Sequence, residues 1–191
     1  MRFENGSSMR LYRQTIEDFG LYAGLELTEP QMDQLRTAAG AMSAKMRAVR
    51  IVAASSVSKK DLEQRLIQKG EDPEQAKDAV QWMSDLHLVD DKATAQQVVN
   101  RCISKGYGLS RAKQALYEKR IPKEYWEEVL EDYPDQTDAI VSFLRSRLDE
   151  TSNEKDRRRA IDALLRKGHS YSRIRRGLEQ LSLDSDDFLE E

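Results

Sequence analysis

The sequence has few of the residues on which disulfide-bonded, metal-binding or membrane-spanning proteins depend. Its 191 residues include one cysteine, Cys102, and two histidines, His87 and His169, which stand 82 positions apart. A single cysteine cannot form an intrachain disulfide, and this set leaves no metal-ligand spacing. The longest purely apolar run, 51–54, is too short to cross a bilayer, and residues 1–30 lack the apolar segment of a signal peptide. We therefore expect a cytoplasmic protein with no metal, no cofactor and no membrane contact.

The chain is very polar, yet its apolar residues are regularly spaced. Apolar residues make up 39% of the chain and charged residues 34%, with 31 basic side chains against 34 acidic ones. Because the apolar residues recur at helical intervals, we expect folded helices and not a disordered chain. Cys102 stands at helical spacing from Val98, Val99 and Ile103, which predicts a small buried apolar side chain and not a reactive thiol.

Helix-start and helix-stop signals divide the chain into short segments. Thr28 with Gln31 makes a capping box, which predicts a long helix that ends near Ala54. Later helix starts are predicted at Ser58, Asp72, Asp90 or Asp91, Ser110, Pro122, Asp135, Asn153, and Ser170 or Ser172. The predicted stops are Lys69-Gly70, Lys105-Gly106 and Lys167-Gly168. The core face of the helix after Asp72 is predicted to carry Ala76, Val80, Met83 and Leu86.

The two ends of the chain carry weaker signals. Near the N-terminus, Asn5-Gly6 is a tight-turn signal, and the residues on either side of it could pair as a short β-hairpin. The acidic tail from Asp184 onward is predicted to form a short final helix or a frayed end. No other stretch alternates like a strand, so the predicted fold class is all-α.

An internal repeat organises the predicted helices. With Leu66, Leu116 and Leu178 in register, Ser56, Gly106 and Gly168 all fall ten positions earlier, at a turn. This register predicts an elongated tandem array of three-helix repeats. The predicted domains are an N-terminal extension 1–27 with the possible hairpin, a first repeat 28–86, a second repeat 87–133, and a third repeat 134–191 that includes the acidic tail.

Charge differs between the repeats. At the position five before the aligned leucine stand Asp61, Arg111 and Arg173, so the later repeats are basic where the first is acidic. Between Lys155 and Arg176, nine basic residues stand against two acidic ones. A solvated helix face would explain such density in an ordinary protein, but the positive excess recurs at equivalent positions. The pattern favours a surface for a polyanion or for an acidic protein groove.

No catalytic constellation can be assembled from the sequence. Asp90 and Asp91 stand at a helix start, where carboxylates cap the helix and oppose its dipole, and no further acid cluster or phosphate loop accompanies them. The sequence offers no set of nucleophile, base and orienting group, so we expect a protein that is not an enzyme.

The motifs of the second repeat resemble those of the RecX regulatory proteins, bacterial modulators of the RecA recombinase. The resemblance rests on LVDD, then NRCISKGYG, then SRAKQALYEKRIP, and it extends over 47–181, with SKKDLEQRLIQKG and RRAIDALLRKGHSYSRIRRGL as the first and third copies. The chain departs from the family pattern at His87, where the family has a glycine, and at Thr94, where it has an aromatic residue. The first copy also lacks the basic residue that the family carries ahead of Ser56.

The resemblance implies both a partner and a mechanism. RecX-like proteins lie in the helical groove of the RecA filament on single-stranded DNA, where they hinder ATP hydrolysis, filament extension and strand exchange. We expect a monomer that acts there, and the sequence leaves open a weak direct contact with DNA. The predicted RecA- or DNA-binding residues are Arg101, Lys105, Arg111, Lys113, Lys119, Arg166, Lys167, Arg173, Arg175 and Arg176.

Two other functions are compatible with the sequence. A stand-alone helical DNA-binding protein would use the turn at Gly106 to Ser110 and the following helix for recognition. The net charge of −3 argues against strong autonomous binding to DNA. A helical-repeat scaffold for peptides is the third possibility, and the uneven repeat length argues against it.

Overall fold

A computed structural model describes residues 1–3, 6–149 and 152–186, and over these ranges the chain is all-α, as predicted. Its helices are α1 Arg13–Asp18, α2 Glu29–Ala54, α3 Lys59–Gln68, α4 Pro73–Asp85, α5 Asp91–Ser104, α6 Leu109–Glu118, α7 Trp126–Leu130, α8 Thr137–Arg145, α9 Glu154–Arg166 and α10 Tyr171–Asp186. The turn Lys123–Tyr125 is a 3₁₀ helix. No helix in these described ranges combines the length and apolar character that a membrane span needs.

The predicted N-terminal hairpin is reduced to a single antiparallel bridge between Arg2 and Ser8, with no strand among the described residues. Three backbone hydrogen bonds accompany the bridge: the Met9 N–H donates to the Met1 carbonyl at 3.0 Å, the Met1 amino group donates to the Met9 carbonyl at 2.9 Å, and the Phe3 N–H donates to the Ser7 carbonyl at 2.9 Å. Asn5, half of the predicted turn signal, lies outside the described residues. Two segments of this length without a sheet to join are too short to form a stable ribbon. At the other end, the acidic tail continues α10 as far as Asp186, and 187–191 lie outside the described residues.

The chain divides into two compact units, Met1–Asp90 and Asp91–Glu191. In the first unit, α2 begins directly after Thr28 and ends at Ala54, as predicted. The Thr28 N–H donates to Gln31 Oε1 at 2.9 Å, which satisfies one of the free donors at the helix start. Small buried residues, including Ala44, Ala48 and Ala76, form much of the core with Leu62, Leu66 and Met83. Such small side chains let the backbones of packed helices approach closely.

One core residue of the first unit was predicted wrongly. Leu86 is 49% exposed, because α4 ends at Asp85 and the chain turns away at the following residue. His87 then takes a positive φ of 55°, a left-handed conformation that favours glycine. The glycine that the resemblance to RecX leads us to expect at this position would adopt this conformation without strain.

The second unit contains two hydrophobic clusters. One is built on Ala95, Val99 and Leu116, and the other on Ile140, Leu144, Leu164 and Ile174. Cys102 is buried in this unit, as predicted. Two predicted helix starts need correction. Helix α6 starts at Leu109 after Gly108, two residues before the position that Ser110 as a cap would require, and Pro122 opens a short 3₁₀ turn ahead of α7.

The helix starts that follow the repeat turns keep the register of the sequence repeat. Ser58, Gly108 and Ser170 directly precede α3, α6 and α10, and each stands eight positions before the aligned leucine. The Ser58 hydroxyl accepts from the Asp61 N–H at 3.1 Å, and the Ser170 hydroxyl accepts from the Arg173 N–H at 3.4 Å. Gly108 has no side chain that could cap α6, and a glycine is needed there because the backbone of Gly168 lies close to it. The exact domain boundaries predicted from the register stay a prediction.

Candidate functional site

Two turns of the second unit that are equivalent in the repeat pack against each other, backbone to backbone. We call residues 105–111 and 167–173 together the turn junction. The Gly108 N–H donates to the Lys167 carbonyl at 2.9 Å. A Cβ atom on Gly108 would collide with the Gly168 carbonyl, and one on Gly168 would collide with the backbone of Arg111. Both positions therefore need glycine, and Gly168 also has a φ of +85°.

His169 ties the two turns together from the third repeat. Its Nε2 lies 2.9 Å from the Gly106 carbonyl oxygen, and since that oxygen can only accept, the neutral ring carries its proton on Nε2. The side chain is buried, and Nδ1 has no hydrogen-bond partner in the described part of the chain. Burial lowers the pKa of His169, and the nearby charges of Lys167 and Arg173 lower it further, against the effect of the Gly106 bond. The ring is held as a neutral structural donor.

Tyr133 closes the other side of the junction. Its hydroxyl donates to the Tyr107 carbonyl at 2.6 Å, and burial raises the pKa of Tyr133 to about 12. Cys102 lies beneath the first turn, where burial raises the pKa of its thiol and the cations Arg111, Lys105 and Arg101 lower it only in part. The electrostatic effect of these three cations on one thiol indicates that they surround the same part of the second repeat.

Four of the ten predicted binding residues lie in the turn junction: Lys105, Arg111, Lys167 and Arg173. Two of them pack over aromatic rings, because Lys105 Nζ lies 5.9 Å from the ring centre of Tyr107 and Lys167 Nζ lies 4.5 Å from that of Phe143. Such contacts restrict a lysine side chain without neutralising its charge. The tertiary structure therefore gathers cations from two repeats at one place in the second unit.

Acidic side chains neutralise part of this charge. Arg111 pairs with Glu118 at 2.9 Å, Arg175 pairs with Glu179 at 2.9 Å, and Arg176 lies 3.8 Å from Asp135. All three pairs are exposed, so each is worth little to stability. The hydrogen bond from Thr137 is the largest cause of a lowered Asp135 pKa, and the charges of Arg173 and Arg176 also lower it. Asp135 and Glu118 are therefore parts of the site that the sequence analysis did not identify.

The remaining predicted residues lie outside the junction. Arg101 is exposed in the last turn of α5, and Arg166 is exposed at the end of α9. Lys119 directly follows α6. Lys113 lines a cleft of about 510 Å³ whose other charged lining residues are Lys123, Glu127 and Glu131, a mixed environment with no excess of positive charge.

The importance of His169 could not be seen in its local sequence. In the repeat register, His169 is equivalent to Tyr107, because the two residues are 62 positions apart, the same separation as between Gly106 and Gly168. That equivalence was the available signal, but only packing shows that the two turns touch. The described residues include no group of three or more metal-ligating side chains. The turn junction places positively charged side chains at fixed positions, and such a surface favours the binding of anions.

Comparisons with known proteins bear on the family and the fold. The model of the RecX second three-helix domain matches residues 90–130. The regulatory protein RecX of Halorhodospira halophila (strain DSM 244 / SL1) is 28% identical over 142 residues, which cover 72% of this chain and 88% of that protein. A crystal structure of regulatory protein RecX matches with a TM-score of 0.65 and 20% identity over 95% of this chain and 90% of that chain. The crystal structure of RecX from Lactobacillus salivarius matches with a TM-score of 0.65 and 22% identity, over 76% of this chain and 99% of that one. The structures bear on the fold, and together with the two sequence matches they confirm the resemblance to RecX.

Proposed function

We propose that this chain, as a member of the RecX family of regulatory proteins, modulates the RecA recombinase by binding in the groove of the RecA filament on single-stranded DNA. In that position it inhibits ATP hydrolysis, filament extension and strand exchange. The contacts come from the ten predicted basic residues, with those of the turn junction at the centre. The partner surface is acidic, either carboxylates of the filament or phosphates of its DNA.

The observation that carries this proposal is the backbone contact between the two turns. The Gly108 to Lys167 and His169 to Gly106 hydrogen bonds hold the turns that carry Lys105, Arg111, Lys167 and Arg173 together. Because a main-chain hydrogen bond and the His169 side chain fix the two turns, the backbone positions that carry the four basic side chains keep a constant spacing. A preorganised set of charges loses less conformational entropy when it binds. Such a set suits a partner with a regular charge spacing, as a helical filament has.

The same contact argues against the stand-alone DNA-binding function. That function would use the turn at Gly106 to Ser110 and the start of α6 to read a groove of duplex DNA. In this structure Gly108 is buried, and main-chain and side-chain groups of the third repeat occupy the polar groups of the turn. A regulator that uses the charged side chains around the turn is compatible with this packing.

The test is the ATPase activity of RecA on single-stranded DNA while the full chain is titrated. We expect wild-type protein to inhibit, and we expect Arg173→Glu with Arg176→Glu to raise the half-inhibitory concentration by at least about tenfold, a loss of about 1.4 kcal/mol of binding. Arg176 is exposed and Arg173 is half-buried, and neither belongs to the hydrophobic cluster of this region, so the far-UV circular dichroism and the melting temperature should not change appreciably. Inhibition by wild type should also weaken as salt is added.

Lys60→Glu with Lys77→Glu provides the matched control. It makes the same change in net charge in the first unit, at two exposed helix positions. We expect this variant to inhibit like wild type. If both double variants inhibit equally well, the third repeat has no part in the mechanism, and if wild type does not inhibit at all, the proposed function is wrong.

A further inference from the structure

A cleft of about 440 Å³ in the first unit is lined by four basic side chains and by no acidic one. It lies between the C-terminal half of α2 and the C-terminal half of α3, and its lining consists of Arg47, Arg50, Ile51, Ala54, Ser55, Arg65 and Lys69. Its volume is within the range of pockets that hold small ligands. The charge of this lining suits an anion.

The helical spacing places the four cations in two facing pairs. Arg47 and Arg50 are three positions apart on α2, while Arg65 and Lys69 are four positions apart at the end of α3, so each pair shares a helix face. The Arg47 guanidinium donates from Nη1 to the Lys69 carbonyl at 3.0 Å, which brings the two faces together at one end of the cleft. At the other end, Arg65 Nη1 lies 3.4 Å from the Ser55 hydroxyl.

A buried carboxylate holds Arg47 in place. The Glu71 side chain is only 7% exposed, and its Oε1 lies 2.6 Å from Arg47 Nε while also accepting from the Ser43 hydroxyl at 3.0 Å. Such a pair restricts the arginine, since moving it would leave a buried charge uncompensated. The Nε side of Arg47 is therefore engaged, and the arginine is oriented before any ligand arrives.

Arg65 is held in the same way from the other side. Its Nη2 lies 2.9 Å from Asp61 Oδ2, and the Asp61 side chain is 9% exposed. Asp61 is the residue whose alignment with Arg111 and Arg173 made the first repeat look acidic. In the structure this carboxylate is buried beside Arg65 and contributes no acidic lining to the cleft.

The balance of charge in the cleft remains positive. Glu71 and Asp61 offset Arg47 and Arg65, whereas Arg50 and Lys69 form no ion pair with any side chain in the described part of the chain. Two uncompensated cations beside two oriented guanidinium groups match a phosphate, which carries up to two negative charges and accepts bidentate hydrogen bonds from arginine. The apolar floor of Ile51 and Ala54 leaves space against which a sugar can pack.

We propose that this cleft binds a phosphate group of a single-stranded nucleic-acid backbone. Arg50 and Lys69 supply the charge that the ligand neutralises, and Arg47 and Arg65 supply oriented hydrogen-bond donors. The inference depends only on the geometry of the first unit and does not require that the chain acts on RecA. The proposal assigns a ligand to the first repeat, which has Asp61 where the other two repeats have Arg111 and Arg173.

The experiment measures binding by the full chain in the absence of RecA. Isothermal titration with pyrophosphate tests a free phosphate ligand, and fluorescence anisotropy with a labelled short oligothymidylate tests the nucleic-acid backbone. The oligothymidylate is measured with Arg173→Glu and Arg176→Glu present throughout, so that cations of the second unit do not mask the cleft. Arg50→Glu with Lys69→Glu should weaken both ligands by at least about tenfold, while Lys60→Glu with Lys77→Glu, an equal change of net charge outside the cleft, should leave both unchanged.

The outcomes separate the possible ligands. Loss of oligothymidylate binding in the cleft variant alone supports the proposal, and an accompanying loss of pyrophosphate binding identifies the phosphate as the recognised group. Binding of pyrophosphate with none of oligothymidylate would overturn the nucleic-acid assignment in favour of a free phosphate. If a labelled oligoglutamate binds as tightly as oligothymidylate and is lost in the same variant, the cleft recognises carboxylates and the proposal is wrong. Equal affinities of the cleft and control variants for both probes would also overturn it. Failure of the RecA test leaves all of these results unaffected.

Discussion

The two units hold their basic side chains in different ways. In the first unit, Arg47 and Arg65 are oriented by the buried carboxylates Glu71 and Asp61. In the second unit, the turns that carry Arg111 and Lys167 are joined by one main-chain hydrogen bond and by the His169 side chain, and the acidic partner of Arg111 is exposed. In the first unit, the position of each of these two arginines therefore depends on one ion pair. In the second unit, the position of the basic residues depends on the close approach of two backbone segments.

This difference shows why aligned charges alone mislead. The same repeat position is occupied by Asp61 in the first unit and by Arg111 and Arg173 in the second, which suggested that only the later repeats are cationic. Packing turns Asp61 inward, beside Arg65, and the basic side chains of the first unit come from other positions. Each unit can present positive charge, but from different parts of the three-helix repeat.

The largest effect is expected where the backbone contact is broken. Gly168→Ala puts a Cβ against the backbone of Arg111 and places a non-glycine residue at a φ of +85°. The strained conformation costs about 1–2 kcal/mol and the overpacking about 1–3 kcal/mol, so the free energy of unfolding should fall by about 2–5 kcal/mol. Urea denaturation followed by circular dichroism measures the change.

Gly70→Ala in the first unit is the matched control for that variant. Gly70 has nearly the same φ, +88°, but a Cβ there would meet no atom within 4 Å. Only the conformational cost of about 1–2 kcal/mol should appear. Equal destabilisation by the two substitutions would mean that the turns are not in close contact, and the contrast between the units would fail.

An intermediate effect is expected from the carboxylate of the first unit. Glu71→Gln removes the charge 2.6 Å from Arg47 while keeping an oxygen for the Ser43 hydroxyl. The loss of one charge-assisted bond to a partly exposed arginine should lower the free energy of unfolding by about 1–2 kcal/mol. Thermal and urea unfolding measure this loss.

Asp33→Asn removes a comparable charge from the exposed Arg36–Asp33 pair, in which the two side chains are 60% and 70% exposed. We expect a change within about 0.5 kcal/mol for that control, because solvent screens an exposed pair. If the two substitutions have the same effect, Glu71 does not hold Arg47 in the way that the burial of the pair indicates.

The smallest effect is a pH dependence of the second unit. Burial lowers the pKa of His169 below its ordinary value of 6.5, so the unfolded chain binds a proton more readily than the folded one. The contribution of His169 to stability is therefore fully present above pH 6.5 and is lost as the pH falls from there through the folded pKa. The slope in that interval approaches about 1.4 kcal/mol per pH unit.

His169→Gln isolates this contribution from that of the carboxylates. Glutamine provides an N–H donor for the Gly106 carbonyl but does not titrate. The difference in melting temperature between about pH 7.5 and about pH 5.5 should be larger for wild type than for the variant. A variant with the same pH dependence as wild type would show that the ring is not protonated on unfolding in this range.

Much of the fold could be predicted from local signals. The capping box at Thr28, the caps at Ser58 and Asn153, and the glycine stops predicted helices that the structure contains. These signals work because each satisfies free backbone groups within a few residues of itself. Predictions of burial near the end of a helix were less accurate, and the predicted burial of Leu86 is an example. That residue continued the apolar periodicity, but the helix had already ended.

Less of the candidate site could be predicted. The sequence identified the basic residues of the second and third repeats, but it could not identify Glu118 and Asp135 as their partners or His169 and Tyr133 as the residues that fix the turns. It also hid the basic cleft of the first unit, because the aligned position there is acidic. These features involve residues far apart in sequence, and no local pattern reports which of them meet.

The sequence by itself determined most of the helices, their order, the repeat and the resemblance to RecX, since capping, periodicity and register are properties of neighbouring residues. Only the tertiary structure decided which charges are neutralised and which are displayed. The electrostatic interaction between two charged side chains depends on their burial and on the distance between them, and both quantities are set when separate helices pack.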